Sequence, residues 1–318
     1  METMTLTSAT QADSTLAPAI EITGLTKHYG QIEAVSDLSL QVPQGTIFGF
    51  LGPNGSGKTT TIRMILGLVR PTSGQVRVLG HDAVAERAKI LPQVGAIVES
   101  PTYYGYLSGR ENLQHHAWLL GTPRSRIDEV LEIVDLQDRA GDKVKTYSLG
   151  MKQRLGIAAS LLNNPRLIML DEPTNGLDPQ GTADVRSLIR RLCEAGHTIF
   201  LSSHMMHEIE QICHYVAIIN HGKLVVQGTV QQLLEGQERV VLEASPAATA
   251  AHVLQHGVGI EAAVSGDQQV SADLPVERVP DAVSLLVDAG VRIYSITRSK
   301  TSLEDYFLAR TGAAIPVI

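Results

Sequence analysis

Between residues 20 and 236 the chain alternates in blocks. Short apolar runs, TIFGFL, RLIMLD and HTIFLSSH among them, are separated by stretches with helical spacing. That alternation predicts a parallel sheet covered by helices. The early stretch IEITGLTKHYGQIEAVSDLSLQVPQGTIFGFL is different: β-rich and broken by Gly and Pro, it predicts an antiparallel sheet beside the parallel core. Between residues 100 and 163 the strand signal fades. Ser108-Gly109-Arg110-Glu111 fits a capping box that opens a helix, and Ile127, Val130, Leu131 and Val134 mark the apolar stripe of another. A small helical insert is expected there. After residue 236 the pattern shifts again. ERVVLEAS reads as a strand, Ser245-Pro246 starts a helix that Gly257 ends, and AAVSGDQQVSADL reads as a hairpin turning near Gly266-Asp267. Val279, Val283, Leu286 and Val287 make a helical stripe, and VRIYSIT is a strand. The order β-α-β-β-α-β predicts a ferredoxin-like α+β appendage over residues 237–318. Its last helix is SLEDYFLARTG, capped by Thr301 and Glu304.

Composition adds bounds. A chain of 318 residues exceeds one compact core, so a large domain plus a smaller one is the expectation. With 43% apolar and 19% charged residues it reads as globular, and a net charge of -7 gives no nucleic-acid footprint. Cys193 and Cys213 are too few for a disulfide framework and read as incidental thiols of a reducing compartment. No apolar stretch is long enough for a transmembrane helix. The start, METMTLTSATQADSTLAPAI, lacks a positive n-region and an apolar h-region. It reads as a disordered extension over residues 1–19, not as a signal peptide.

The candidate chemistry begins at GPNGSGKT, Gly52 to Thr59, which matches G-x-x-x-x-G-K-[ST] between a strand and a helix. Glycines let the backbone curl so that successive N–H groups converge on one anion. Gly52, Asn54, Gly55, Ser56, Gly57, Lys58, Thr59 and Thr60 make the candidate phosphate cradle. Lys58 supplies positive charge to the outer phosphates, and the Thr59 hydroxyl is a candidate Mg²⁺ ligand. RLIMLDEP then ends an apolar strand in two adjacent carboxylates. Side chains alternate along a strand, so the two point in different directions. Asp171 is the candidate metal ligand and Glu172 the candidate general base. His204 closes HTIFLSSH, where a strand of the same sheet would bring its imidazole to the γ-phosphate edge. His207 lies three residues on, with no further spacing that supports a metal pair. Tyr29, 23 residues before Gly52, could stack on adenine or be buried.

A second anion site stands at TYSLGMKQRL, where a turn with Ser148 and Gly150 opens a helix and an amphipathic run follows. Together these ordered motifs resemble the nucleotide-binding subunit of ATP-binding-cassette (ABC) transporters, over residues 20–236. The resemblance implies an α/β P-loop NTPase cassette, with a RecA-like core, an antiparallel β subdomain and a helical insert, followed here by the small α+β appendage. It implies ATP as substrate with Mg²⁺, and head-to-tail pairing with a second cassette. Ser148 and Gly150 of one copy would grip the γ-phosphate held by the other's P-loop. By the same resemblance Tyr29 is similar to the A-loop aromatic. Asn175-Gly176-Leu177-Asp178 is similar to the D-loop, with Asp178 at the dimer interface. Glu172 is similar to the catalytic carboxylate, and His204 to the switch histidine.

Two positions depart from the family pattern. Leu149-Gly150-Met151 replaces two consecutive glycines followed by glutamine, so only Ser148 and Gly150 are kept. Glu99, in VGAIVESP, stands where most cassettes have a glutamine, and Gln93 lies six residues too early to substitute. A carboxylate there can ligate Mg²⁺ or hold a water, and it resembles cassettes of the bacitracin and lantibiotic self-protection type. The resemblance implies a motor subunit of an exporter of an antibiotic peptide or drug. It would sit in the cytoplasm, peripheral on the inner face of the membrane, and work with separate transmembrane permease subunits. A groove near residues 99–106, with Tyr103, Tyr104 and Tyr106, would receive a permease helix or fold back on its own domain. Competing readings are a soluble ABC ATPase acting on ribosomes or DNA, a nucleotide-binding regulator, and the motor of an importer.

Overall fold

The computed structural model describes residues 17–99, 101–234, 238–266, 268–272, 274–300, 302–304 and 307. The chain divides into two compact units, Met1–Gly228 and Thr229–Ile318.

In the first unit the strands are β1 (Ile20–Tyr29), β2 (Ile32–Val42), β3 (Ile47–Leu51), β4 (Ser73–Val78), β5 (His81–Asp82), β6 (Val94–Ile97), β7 (Leu167–Asp171), β8 (Thr198–Ser203), β9 (Tyr215–Asn220) and β10 (Lys223–Thr229). Strands β2-β1-β4-β5 form an antiparallel sheet, and β10-β9-β3-β8-β7-β6 form a six-stranded sheet. Strands β9, β3, β8, β7 and β6 pair in parallel. Every position of β3, β7 and β8 is buried, as a sheet covered on both faces requires. The Phe48 and Phe200 rings stack at 5.7 Å across β3 and β8. Ile20, Ile22 and Leu25 of β1 join the same core as Phe48 and Phe200, so one apolar body welds the two sheets. All the parallel strands end at one edge, the usual place for a ligand in such sheets.

The insert holds helices Gly109–Leu120, Ser125–Ile133 and Leu149–Leu161. The Ser108 hydroxyl accepts from the Glu111 N–H and the Glu111 carboxylate accepts from the Ser108 N–H, a complete capping box. Ile127, Val130, Leu131 and Val134 are buried, as the stripe predicts. The third helix corrects an expectation, because it is not amphipathic. Leu155, Gly156, Ile157 and Ala158 are buried in succession. Gly156 explains this: a Cβ there would meet the Tyr103 hydroxyl at 2.9 Å, so the helix is packed on more than one side.

The second unit contains β11 (Glu238–Ser245), β12 (Ala262–Ser265), β13 (Gln269–Ala272) and β14 (Arg292–Lys300). Its sheet order is β12-β13-β11-β14, with every pair antiparallel. Helices Ala247–Val253 and Val279–Asp288 pack on it around Leu242, Leu254, Val270 and Leu286. Two local expectations are corrected. The first helix runs on through a π turn, Leu254–Val258, and stops at Gly259 with φ +71°, so Gly257 does not end it. Val287 is 58% exposed while Ala282 and Leu286 are buried. At about 100° per residue Val287 lies on the rim of the stripe, not in it. Leu303 and Phe307 of the last helical segment are buried. Residues 1–16 of the N-terminal extension, Ser100, Asp267, Thr301 and most of SLEDYFLARTG lie outside the described residues.

Candidate active site

The loop from Gly52 to Gly57 links β3 to helix Lys58–Ile65. Two glycines there answer to contacts. Gly57 has φ +104°, and a Cβ on it would meet the Ala34 carbonyl oxygen at 2.5 Å; one on Gly52 would meet the Ile219 carbonyl oxygen at 2.4 Å. The Thr61 N–H is the first to find an acceptor in its own helix, the Gly57 carbonyl at 2.9 Å. The amides of Lys58, Thr59 and Thr60 therefore point out of the helix end, where the helix dipole favours an anion. The Ser56 hydroxyl is buried and has no hydrogen-bond partner among the described residues. Asn54 and Gly55 form the exposed tip of the loop.

Around this cradle the strand ends deliver charge. The Lys58 ammonium, 6% exposed, donates to the Gly52 carbonyl at 2.8 Å and stands 3.1 Å from Glu172 Oε1. The Thr59 hydroxyl donates to Asp171 Oδ2 at 2.9 Å, and the Ser202 hydroxyl donates to Asp171 Oδ1 at 2.5 Å. Ser202 also accepts from the Glu172 N–H at 2.9 Å. Glu172 Oε2 lies 2.8 Å from His204 Nδ1. An ionised carboxylate only accepts, so Nδ1 carries the proton in that pair. The two carboxylates do point in different directions, but strand alternation is not the reason. Strand β7 ends at Asp171, and Glu172 takes φ +50°, a left-handed turn that throws its side chain toward Lys58 and His204. Sequence reasoning missed Ser202. Its signal was a pair of serines, Ser202-Ser203, ending an apolar buried run just before His204.

The second group of residues lies on helix ends. Ser148 caps helix Leu149–Leu161, its hydroxyl accepting from the Met151 N–H at 3.2 Å. Asp178 caps helix Pro179–Glu194, its carboxylate accepting from the Gly181 N–H at 2.8 Å. Both helix N-termini open on one cleft of about 390 Å³, lined by Ser148, Gly150, Arg154, Asp178, Gly181 and Asp184 among others. The fold thus brings Ser148, Gly150 and Asp178 together. Tyr29 ends β1, is 45% exposed, and has Lys27 Nζ 4.9 Å from its ring centroid, so it is not a core tyrosine.

Glu99 is placed elsewhere. It adopts φ +64° and its carboxylate is taken by the Arg63 guanidinium, with the two side chains 63% and 38% exposed. Among the described residues its ion pair is with Arg63, and no hydrogen bond joins it to Thr59 or Asp171. Gln93 donates to the Lys89 carbonyl at 3.0 Å. His207 contacts Gln211, and no cluster of three or more His, Cys, Asp or Glu suited to a metal occurs among the described residues. Tyr103 is tied down, its hydroxyl donating to the Lys152 carbonyl at 2.9 Å, and burial pushes that phenol above its ordinary pKa. Tyr104 and Tyr106 are 56% and 68% exposed, and Trp118 and Leu119 on the neighbouring helix are 81% and 74% exposed. No helix among the described residues is long and apolar enough to cross a membrane.

Known proteins resemble this chain in sequence and fold. The family model for ABC transporters matches residues 35–175. The bacitracin transport ATP-binding protein BcrA of Bacillus licheniformis is 42% identical, over 93% of this chain and 98% of its own. The daunorubicin/doxorubicin resistance ATP-binding protein DrrA of Streptomyces peucetius is 35% identical over 92% of each chain. Among solved structures, the ATP-binding cassette MJ0796, a dimer in a post-hydrolysis state bound to ADP and Pi, superposes with TM-score 0.60 and 25% identity, covering 66% of this chain and 98% of that one. The P-loop, the acidic strand end and the helix-end cleft therefore sit in a chain that belongs to the ABC transporter family, as an ATP-binding subunit with the cassette fold.

Proposed function

We propose that this chain is the ATP-hydrolysing motor of an exporter, driving separate membrane subunits through ATP-dependent pairing of two cassettes. The observation that carries the hydrolysis is Glu172, held between Lys58 at 3.1 Å and His204 at 2.8 Å beside the Thr59–Asp171 pair. Phosphates in the Gly52–Thr60 cradle meet the outward amides of the helix end, the Ser56 hydroxyl and the Lys58 ammonium. Glu172 then accepts the proton of the attacking water, a role typically contributing about 10²–10⁴ in rate. His204, fixed through Nδ1, leaves Nε2 for the phosphate side. Ser202 braces the Asp171 carboxylate and the Glu172 backbone N–H through its hydroxyl.

The donor set suits Mg²⁺. Thr59 and Asp171 present two hard oxygens 2.9 Å apart, and such an ion takes few protein ligands, leaving room for phosphate and water. When bound, it would neutralise charge on the phosphates. The cleft with Ser148, Gly150 and Asp178 offers two helix N-termini to the nucleotide of a second copy, so a two-fold pair would hold two equivalent composite sites. The exposed Tyr104, Tyr106, Trp118 and Leu119 supply amphipathic area for a permease segment. That docking would keep the subunit on the inner face of the membrane. BcrA and DrrA, similar over nearly the whole chain, support an antibiotic peptide or drug as the cargo.

Replacing Glu172 tests the reading. Glu172→Gln keeps the size and shape, exchanges one acceptor oxygen for a donor, and cannot take the proton. Hydrolysis should fall by about 10²–10⁴, while ATP binding persists and a stable ATP-bound dimer accumulates, measured by phosphate release and light scattering. Normal hydrolysis in this variant would show that Glu172 is not the base.

A further inference from the structure

Two hydrogen-bonded rungs tie the segment leaving β7 to the segment leaving β8. The first is the contact of Glu172 Oε2 with His204 Nδ1 at 2.8 Å. The second lies deeper. The Thr174 hydroxyl donates to Glu208 Oε2, and both residues are 9% exposed. Glu208 stands on helix Met206–Ile212, whose Met206, Ile209 and Ile212 are also buried. Ile209 presses on β3: a Cβ added to Gly49 would meet its Cγ2 at 2.6 Å. The helix is wedged against the strand that leads into the phosphate cradle. A carboxylate on its buried side costs desolvation that an apolar residue would not incur.

Thr174 is the root of the segment that reaches Asp178. The Asn175 N–H donates to the Glu172 carbonyl and the Leu177 N–H to the Thr174 carbonyl, both at 3.2 Å. Asp178 then caps the next helix. Moving Thr174 therefore moves Glu172 on one side and Asp178 on the other.

We infer that Glu208 is a positioning residue for hydrolysis. Through Thr174 it keeps the Glu172–His204 pair and the Asp178 edge in register, so that a shift of the switch-histidine helix is felt at both. This rests on the reading of Glu172 as the base and of Asp178 at the edge shared between cassettes.

The test uses the full chain. Thr174→Val removes the hydroxyl with little change of shape. Its kcat should fall about tenfold, as small misplacements of a catalytic group do, while affinity for a fluorescent ATP analogue stays within about twofold. Thr174→Ser keeps the donor and should retain most of the turnover. Thr174→Val/Glu208→Met removes both partners, so no buried group is left unpaired. Its thermal midpoint should return to that of the unsubstituted chain while kcat stays low. A role confined to folding predicts that both recover together, and that result would overturn the inference. So would an unchanged kcat in Thr174→Val where the unsubstituted chain turns over ATP. No turnover in the unsubstituted chain is instead the failure of the ATPase reading, and takes this inference with it.

Discussion

The two edges of the proposed nucleotide site are built in opposite ways. At the P-loop edge the charged groups stand at the start of helix Lys58–Ile65 and just at or past the ends of buried parallel strands, and lean on one another: Lys58 on Glu172, Glu172 on His204, Asp171 on Thr59 and Ser202. At the Ser148 edge the two helix-end residues cap their own helices, Ser148 through the Met151 N–H and Asp178 through the Gly181 N–H. Leu149 beside them is 52% exposed. The first edge is preorganised, because a sheet buried on both faces cannot yield without opening the core. The second is a surface that becomes chemical only when something charged is brought to it. Under the proposed function, precision sits where bonds are made and broken, and accessibility where a partner arrives and leaves.

Ser148→Arg should break that division most visibly. A long cation placed where two helix N-termini converge fills the cleft and opposes the dipoles that favour an anion. ATP-driven dimerisation, followed by light scattering in the Glu172→Gln background, should weaken by about 100-fold or more, close to 2.7 kcal/mol. Nucleotide affinity of the single chain should not change. Loss of the cap alone costs helix stability of only ~1 kcal/mol, and Ser148→Asn, which keeps a cap, separates that effect. Unchanged dimerisation in the arginine variant would mean the cleft faces nothing.

Ser202→Ala probes the opposite edge, with a smaller effect. It leaves Asp171, 6% exposed, without one donor and the Glu172 N–H without its acceptor. Leaving such groups unpaired costs ~1–3 kcal/mol. The urea midpoint should fall accordingly, and kcat with it. A loss under about 0.5 kcal/mol, the range of an ordinary surface change, would show that the P-loop edge is less tightly braced than its distances say.

Much of this was legible in the chain, and unevenly so. The continuous apolar runs gave β3, β7 and β8 because a strand buried on both faces has no polar alternation to confuse it. Ser108 and Glu111 gave a helix start because a capping box is a local device that needs no tertiary partner. The helix after Ser148 was misread because its burial is set by Tyr103 and Pro101 packing on Gly156, contacts remote in sequence. The turn at Gly257 was misread for a similar reason, since a π turn carries the helix on to Gly259. At the site, residue types and spacing named Lys58, Asp171, Glu172 and His204. They could not say that Glu172 leaves the strand through a left-handed turn, nor that Ser202 and Glu208 would be enclosed with them. Those are consequences of which strands become neighbours.

The smallest effect concerns Glu99, and it refines the comparison instead of breaking it. Its pairing with Arg63 joins the helix after the P-loop to the loop that enters the insert, so it spans the two kinds of construction. Both side chains are substantially exposed, and exposed ion pairs contribute only ~0–1 kcal/mol. Glu99→Gln should therefore change the unfolding free energy, measured by urea titration, by less than about 1 kcal/mol, with the difference shrinking in high salt as screening weakens the pair. Glu99 nonetheless holds φ +64°, a conformation non-glycine residues adopt at a cost and keep where the surroundings impose it. An exposed pair that links these two segments contributes little stability, so its effect is expected in coupling. The expected outcome is a stable, nucleotide-binding Glu99→Gln protein whose transport with its membrane subunits is reduced, and reduced alike in Arg63→Gln. Full transport in both variants would make position 99 a tolerant surface site and leave the two edges linked only through the buried core.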